Sequence, residues 1–171
     1  MIHINKIIGN INFDSHLKDK YEDMIKNGRV EIIEITRLES DRTRMRKTSD
    51  KGTDLALVID AGSHINDGDV VLLTEDKMVI AIRVSENVAT ISLRDNISTD
   101  QLFKTAIKLG HTIGNMHRPI KITNGKISFP IQARSEIELF QKLLSNLKDN
   151  IDIKNENIIF EPEEGYNIHE H

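Results

Sequence analysis

Imidazole is the commonest side-chain metal ligand, so the seven histidines of this 171-residue chain are the first residues to weigh for chemistry. His111 and His117 lie six positions apart, a long histidine-free stretch follows, and His169 and His171 form a His-x-His near the end of the chain. His3, His16 and His64 have no partner in sequence and read as structural or surface residues. If Leu102, Phe103, Ala106 and Ile107 mark the inner face of a helix, His111 falls on the opposite side with Lys104 and Lys108 and reads as solvated. Six helical residues turn through roughly 600°, so His111 and His117 converge on one ion only if the chain turns at Gly114. His117 itself follows Gly114-Asn115 and precedes Arg118-Pro119, at a helix-to-strand corner. One imidazole is a poor site, because Zn(II) normally takes four ligands; a two-fold homodimer would bring two copies together. An ordinary turn histidine accounts for the spacing equally well. His169-Glu170-His171 can chelate from an extended chain, since residues i and i+2 point the same way. An acidic tail of this kind is more often simply solvated.

Composition excludes other chemistries. With no cysteine there is no thiolate zinc site, iron–sulfur cluster, disulfide or cysteine nucleophile. No G-x-S-x-G, H-E-x-x-H, P-loop or G-x-G-x-x-G occurs, and the carboxylates show no spacing that singles out a catalytic pair, so no enzyme is expected. A net charge of -4 argues against a nucleic-acid binder. No stretch approaches the roughly 20 apolar residues of a membrane helix, and MIHINKIIGNINFD lacks the basic-then-apolar order of a secretory signal. A soluble cytoplasmic protein is the expectation. The one basic cluster, Arg37, Arg42, Arg44, Arg46 and Lys47, is diluted by Glu39 and Asp41; its alternation fits the polar face of a strand, and it is the leading protein-contact surface of its half.

The elements that must position these groups fall into two halves and a tail. Residues 1–86 read as β-rich: 2–8, 30–36, 54–59, 69–73 and 77–84 are short Ile/Val/Leu runs separated by turn residues such as Asn66-Asp67-Gly68-Asp69. Residues 15–26 place Leu17, Tyr21, Met24 and Ile25 on one helical face. A small sandwich or barrel is expected there. In residues 87–160 the pattern is sharper. A strand at 88–94 precedes a capping box, Ser98 with Gln101, and a helix whose inner face reads as Leu102, Phe103, Ala106, Ile107, Gly110 and Ile113, stopping at Gly114-Asn115. Asn124-Gly125 between 118–123 and 126–131 is a strong hairpin signal. Ser135 with Glu138 reads as a second capping box, opening a helix through Phe140, Leu143, Leu144 and Leu147, and 151–160 reads as a last strand. The order β-α-β-β-α-β is that of a ferredoxin-like domain, so the fold class expected is α+β: a β-rich domain, a ferredoxin-like domain, and a flexible acidic tail over 161–171. That fold alone decides no function. An RNA-binding version would need more stacking aromatics than the lone Phe129 of the third strand.

Lys108-Leu-Gly-His-Thr-Ile-Gly-Asn-Met-His117-Arg-Pro resembles the Gly-Asn-x-His signature of the urease accessory nickel metallochaperones, the UreE-type family. Arg42-Thr-Arg44-Met-Arg46-Lys47-Thr48, then Lys51-Gly-Thr-Asp-Leu-Ala-Leu and Asp67-Gly-Asp69, are similar to the same family in the same order, and the likeness runs over roughly residues 40–165. The resemblance implies a first domain like the peptide-binding domains of J-domain co-chaperones, and a metal-binding second domain dimerised so that the signature histidines meet. It implies His117 as the primary Ni(II) ligand, His169 and His171 as a reduced form of a His-bearing tail, and urease apoprotein and its accessory proteins, including a GTPase, as partners. The sequence departs from the family at Met116, where Arg is common, at Ile131, in a region where relatives carry further histidines, and in a tail with two histidines. Few ligands per chain imply delivery rather than bulk storage. Imidazole also suits Zn(II) and Cu(II), which can take the same site. Two other classes stay open at this point: a protein-interaction adaptor with incidental histidines, and a ligand-sensing ferredoxin-like regulatory domain.

Overall fold

A computed structural model describes residues 1–95 and 97–163. The chain divides into two compact units, Met1–Val84 and Ser85 onward.

In the first unit the strands are β1 (Ile2–Ile4), β2 (Gly9–Asn10), β3 (Val30–Ile35), β4 (Arg44–Thr48), β5 (Asp54–Val58), β6 (Asp69–Leu73) and β7 (Met78–Arg83). Helix α1 spans Ser15–Lys26 and the single turn α2 spans Arg37–Ser40. The strands form two sheets, in the orders β1-β5-β4 and β2-β6-β7-β3. Side chains of β7 alternate between two cores, as a period of two requires. Val79 and Ala81 join Ile4, Leu55, Leu57, Ile33 and Ile35 between the sheets. Met78 and Ile80 pack with Leu17 and Met24 of α1 on the other side. The result is a sheet–sheet–helix stack. Its helix begins at Asp14, whose side chain accepts from the Leu17 N–H at 3.1 Å. It ends in a Schellman motif: Arg29 N–H bonds the Met24 carbonyl and Gly28, at φ 67°, bonds Ile25. Gly68 is required by its backbone, at φ 83°, and an added Cβ would also crowd the Asn12 amide 2.5 Å away.

Two expectations for this unit change. The run 2–8 is not one strand: β1 stops at Ile4 and β2 begins at Gly9. Ile25 is exposed rather than part of the inner face, which Leu17 and Met24 occupy. On β4, Arg44 and Arg46 point to solvent while Met45 turns inward, and Arg46 holds Asp54 through two hydrogen bonds at 2.8 and 3.0 Å.

The second unit runs β8 (Glu86–Leu93), α3 (Thr99–Gly114), β9 (Lys121–Thr123), β10 (Lys126–Pro130), α4 (Glu136–Leu143), a short 3-10 turn at Ser145–Leu147, and β11 (Ile151–Ile158). The sheet order is β11-β8-β10-β9 and every pairing is antiparallel. Ala89 and Ile91 of β8, Phe129 of β10 and Ile151 of β11 meet Leu109 and Ile113 of α3 and Phe140 of α4, so both helices cover one face of the sheet. Phe129 and Phe140 stack at 4.8 Å between centroids, tilted by 57°. The β9–β10 hairpin turns at Asn124 and Gly125, both at positive φ (51° and 71°), as a two-residue type I′ loop demands.

Four expectations are corrected here. The Ser98–Gln101 box forms, with Gln101 N–H donating to Ser98 Oγ, but the inner face of α3 is Thr105, Leu109 and Ile113. Leu102, Phe103, Ala106, Ile107 and Gly110 are exposed. Ser135 makes no side-chain cap; Glu136 instead accepts from the Gln132 N–H. Helix α4 ends at Leu143, itself exposed, and Leu147 is buried by the 3-10 turn. Finally, Ile120 precedes β9 and is partly buried, while Ile122 within β9 is exposed.

Candidate functional site

Helix α3 ends by tightening. Asn115 N–H bonds the His111 carbonyl four residues back, then Met116 and His117 N–H groups bond Ile113 and Gly114, three residues back. The chain then turns through His117, which takes the left-handed conformation at φ 51°. Glycine was expected to supply that conformation here; Gly114 remains helical and the histidine supplies it. A non-glycine residue rarely sits there, although His is among the more tolerant types, and the conformation costs about 1–2 kcal/mol. The His117 side chain is exposed.

Arg118 follows with a half-buried side chain. Its Nη1 donates to the Pro130 carbonyl at 2.6 Å, its Nη2 pairs with Glu136 Oε2 at 2.8 Å, and its guanidinium lies 5.8 Å from the centroid of the Phe140 ring. Pro119 restricts the Arg118 backbone to extended conformations. The corner that presents His117 is thus tied to β10 and α4.

His111 is exposed near the end of α3, and the Asn115 amide donates to its Nε2 at 3.2 Å. Asn115 therefore engages His111. His169 and His171 lie outside the described residues. Their attachment point is within them: Glu163 N–H donates to the Ile120 carbonyl at 3.1 Å, and Glu163 Oε1 accepts from the Ile122 N–H at 3.0 Å. The tail therefore departs beside β9, a few residues after His117. Among the described residues no group of three or more His, Asp or Glu side chains converges to hold a metal. The chemistry of the corner is one imidazole per chain, which suits Ni(II), Cu(II) or Zn(II) as a single ligand and needs others to complete a coordination sphere.

Phe103, Ala106, Ile107 and Gly110 lie along one stripe of α3 that runs toward this corner. Phe103 is 67% and Ile107 55% exposed, values far from those of a finished core. Sequence reasoning assigned this stripe to the core because its periodicity is that of any buried helical face. It missed Arg118, for which the Arg-Pro dipeptide was the available signal. Elsewhere, His64 Nδ1 lies 3.0 Å from Asp41 Oδ1, both well exposed, and His3 and His16 are surface residues.

Comparison with known proteins identifies relatives of this chain. Residues 4–85 match the family model described as the UreE urease accessory protein, N-terminal domain. A urease accessory protein UreE of Yersinia rohdei is 31% identical over 136 residues, which is 77% of this chain and 58% of that protein. Those of Yersinia bercovieri and Yersinia enterocolitica serotype O:8 are 32% and 30% identical over the same 136-residue length. The chain belongs to the UreE family of urease accessory proteins. It spans about 58% of the length of the UreE relatives it matches. UreE proteins are named as accessories to an enzyme, and among the described residues of this member no helix is long and apolar enough to cross a membrane.

Proposed function

We propose that this chain is a nickel metallochaperone that delivers Ni(II) during assembly of the urease active site, with the ion held by His117 where two copies meet. The observation that carries the reading is the exposed apolar stripe of α3 leading to an exposed histidine on a braced corner. Contiguous apolar surface of this kind marks an interaction site. In an isologous contact the residues on the symmetry axis meet their own copies, so a dimer whose contact runs along Phe103, Ala106, Ile107 and Gly110 to an axis at the end of α3 would bring two His117 imidazoles together.

Two imidazoles are too few for a divalent ion, and the tail supplies the rest. Six residues separate Glu163 from His169, a reach of roughly 20 Å when extended, and three separate His117 from Ile120, at most about 10 Å. The chain is therefore long enough for His169 and His171 to reach His117. A site completed by a tail can surrender ligands one at a time to a recipient, which is what delivery requires. The Irving–Williams order gives no preference for Ni(II) over Cu(II), so selectivity comes from geometry and supply. Only neutral imidazole ligates, so binding weakens on acidification.

We read the second unit as a ferredoxin-like domain, supported by its β-α-β-β-α-β order with both helices on one sheet face. The first unit we read as the partner-recognition domain, contacting urease apoprotein and its accessory proteins, the GTPase among them, in the cytoplasm. The test is metal analysis and nickel titration of tag-free protein, wild type against His117→Ala. Stoichiometric nickel lost on substitution is expected. Equal affinity in the two proteins overturns the assignment, and no tight divalent binding in the wild type returns the chain to the class of adaptors.

A further inference from the structure

We infer that Arg118 is the positioning residue of the nickel site: it acts through His117, which it holds in its left-handed conformation, and does not touch the ion. The inference rests on the reading of His117 as a ligand and deepens it.

The strain at His117 has to be sustained by its surroundings. On the helix side the restraint is a pair of three-residue hydrogen bonds, from Met116 and His117 N–H groups, at 3.0 Å each. These belong to a fraying helix end and are weak alone. On the strand side Arg118 is a restraint. Its planar guanidinium makes contacts in different directions: the Pro130 carbonyl of β10, the Glu136 carboxylate of α4, and the face of Phe140, a fully buried ring. The ion pair is sheltered, with side chains 23% and 19% exposed. Glu136 is held in turn by the Gln132 N–H. A lysine could meet the carbonyl or the carboxylate but could not present a flat face to Phe140 while doing so.

Without Arg118, residues 115–118 can relax to an ordinary turn, and the backbone no longer presents the imidazole in its left-handed geometry. A ligand that must be ordered at the moment of binding gives lower affinity, and groups that orient metal ligands typically matter by 10- to 100-fold in affinity. The expected result is that Arg118→Ala weakens nickel binding about 10-fold or more.

The experiment compares wild type, His117→Ala, Arg118→Ala, Arg118→Lys and Glu136→Gln by nickel titration, and follows the His117 ring and the amides of residues 115–118 by NMR in the metal-free full chain. Weaker binding with broadened or shifted His117 signals in Arg118→Ala, and an intermediate effect in Arg118→Lys, supports the inference. If His117→Ala binds nickel as well as wild type, the ligand assignment itself fails. If His117→Ala loses nickel but Arg118→Ala keeps both wild-type affinity and wild-type His117 signals, the positioning role alone fails. Should Arg118→Ala not fold, wild-type affinity and His117 signals in both Arg118→Lys and Glu136→Gln overturn it.

Discussion

The Lys77 ammonium lies 2.8 Å from the Glu31 carboxylate, joining the start of β7 to its parallel neighbour β3 beside the inter-sheet core. Ser49 donates to the other Glu31 oxygen, and Lys77 also reaches Thr53 Oγ1 at 2.8 Å. Burial pushes the Glu31 carboxyl up, but the hydrogen bonds from Lys77, Ser49 and Thr53 and the Lys77 charge outweigh it and hold it at about 2. Glu39 behaves alike: burial raises it, and Lys47 together with the Thr36 backbone and hydroxyl bring it to about 2.

Both groups have depressed folded-state values, so their stabilisation is fully present above the unfolded carboxyl value of 4.5 and is lost as pH falls toward 2. The first unit should lose up to about 3 kcal/mol through Glu31 alone across that window. Denaturant unfolding at a series of pH values checks this; Glu31→Gln should flatten the curve. Lys77→Met should destabilise by about 2 kcal/mol at neutral pH, because it leaves a buried carboxylate short of a charged donor.

At position 117 the backbone itself is a readout. Both His117→Ala and His117→Gly should abolish tight nickel binding. Glycine adopts a positive φ without penalty and alanine does not, so His117→Gly should be the more stable of the two by about 1 kcal/mol in thermal unfolding. Equal stability would mean that the corner relaxes out of its left-handed form once the imidazole is gone.

Exposed apolar residues on α3 give a different test. Phe103→Glu and Ile107→Glu should convert a dimer to a monomer in sedimentation. As surface substitutions they should leave monomer stability within about 0.5 kcal/mol. Thr105→Val, on the inner face of the same helix, should do the reverse: no change in mass, and a loss of about 1 kcal/mol from the hydrogen bond that Asn150 donates to its hydroxyl at 3.0 Å.

Truncation after Gly165 removes His169 and His171 and keeps Glu163. Nickel should bind more weakly, and transfer to a competing chelator should change in rate, while His117 still binds. Stopped-flow chelator competition measures this; identical affinity and transfer rate would remove the tail from the mechanism.

Much of the fold could be read from local signals. Ser98 and Gln101 start α3 and Asn124-Gly125 turns the hairpin, each through a hydrogen bond or a sign of φ that neighbouring residues dictate. What could not be read was which side of α3 faces inward. Hydrophobic periodicity records burial without saying whether the covering surface belongs to the same chain, and the more apolar side, at Phe103 and Ile107, is the one left open. The candidate site drew notice through a motif, Gly-Asn-x-His, and the packing beneath it left no such mark. Arg118 meets Pro130 and Glu136 across 12 and 18 positions of sequence, which only the folded unit brings together. Ser135 failed as a cap because its own backbone is already helical, at φ -61° and ψ -20°, inside a turn that Ala133 and Arg134 have begun.

The two hydrogen bonds at Glu163 have an effect apart from metal. Strand β9 is the rim of its sheet, where an open row of amides invites another chain to add on. The outward Ile122 N–H and Ile120 carbonyl are already occupied by Glu163. A chain cut before that residue would bare the rim and open it to edge-to-edge addition of another strand.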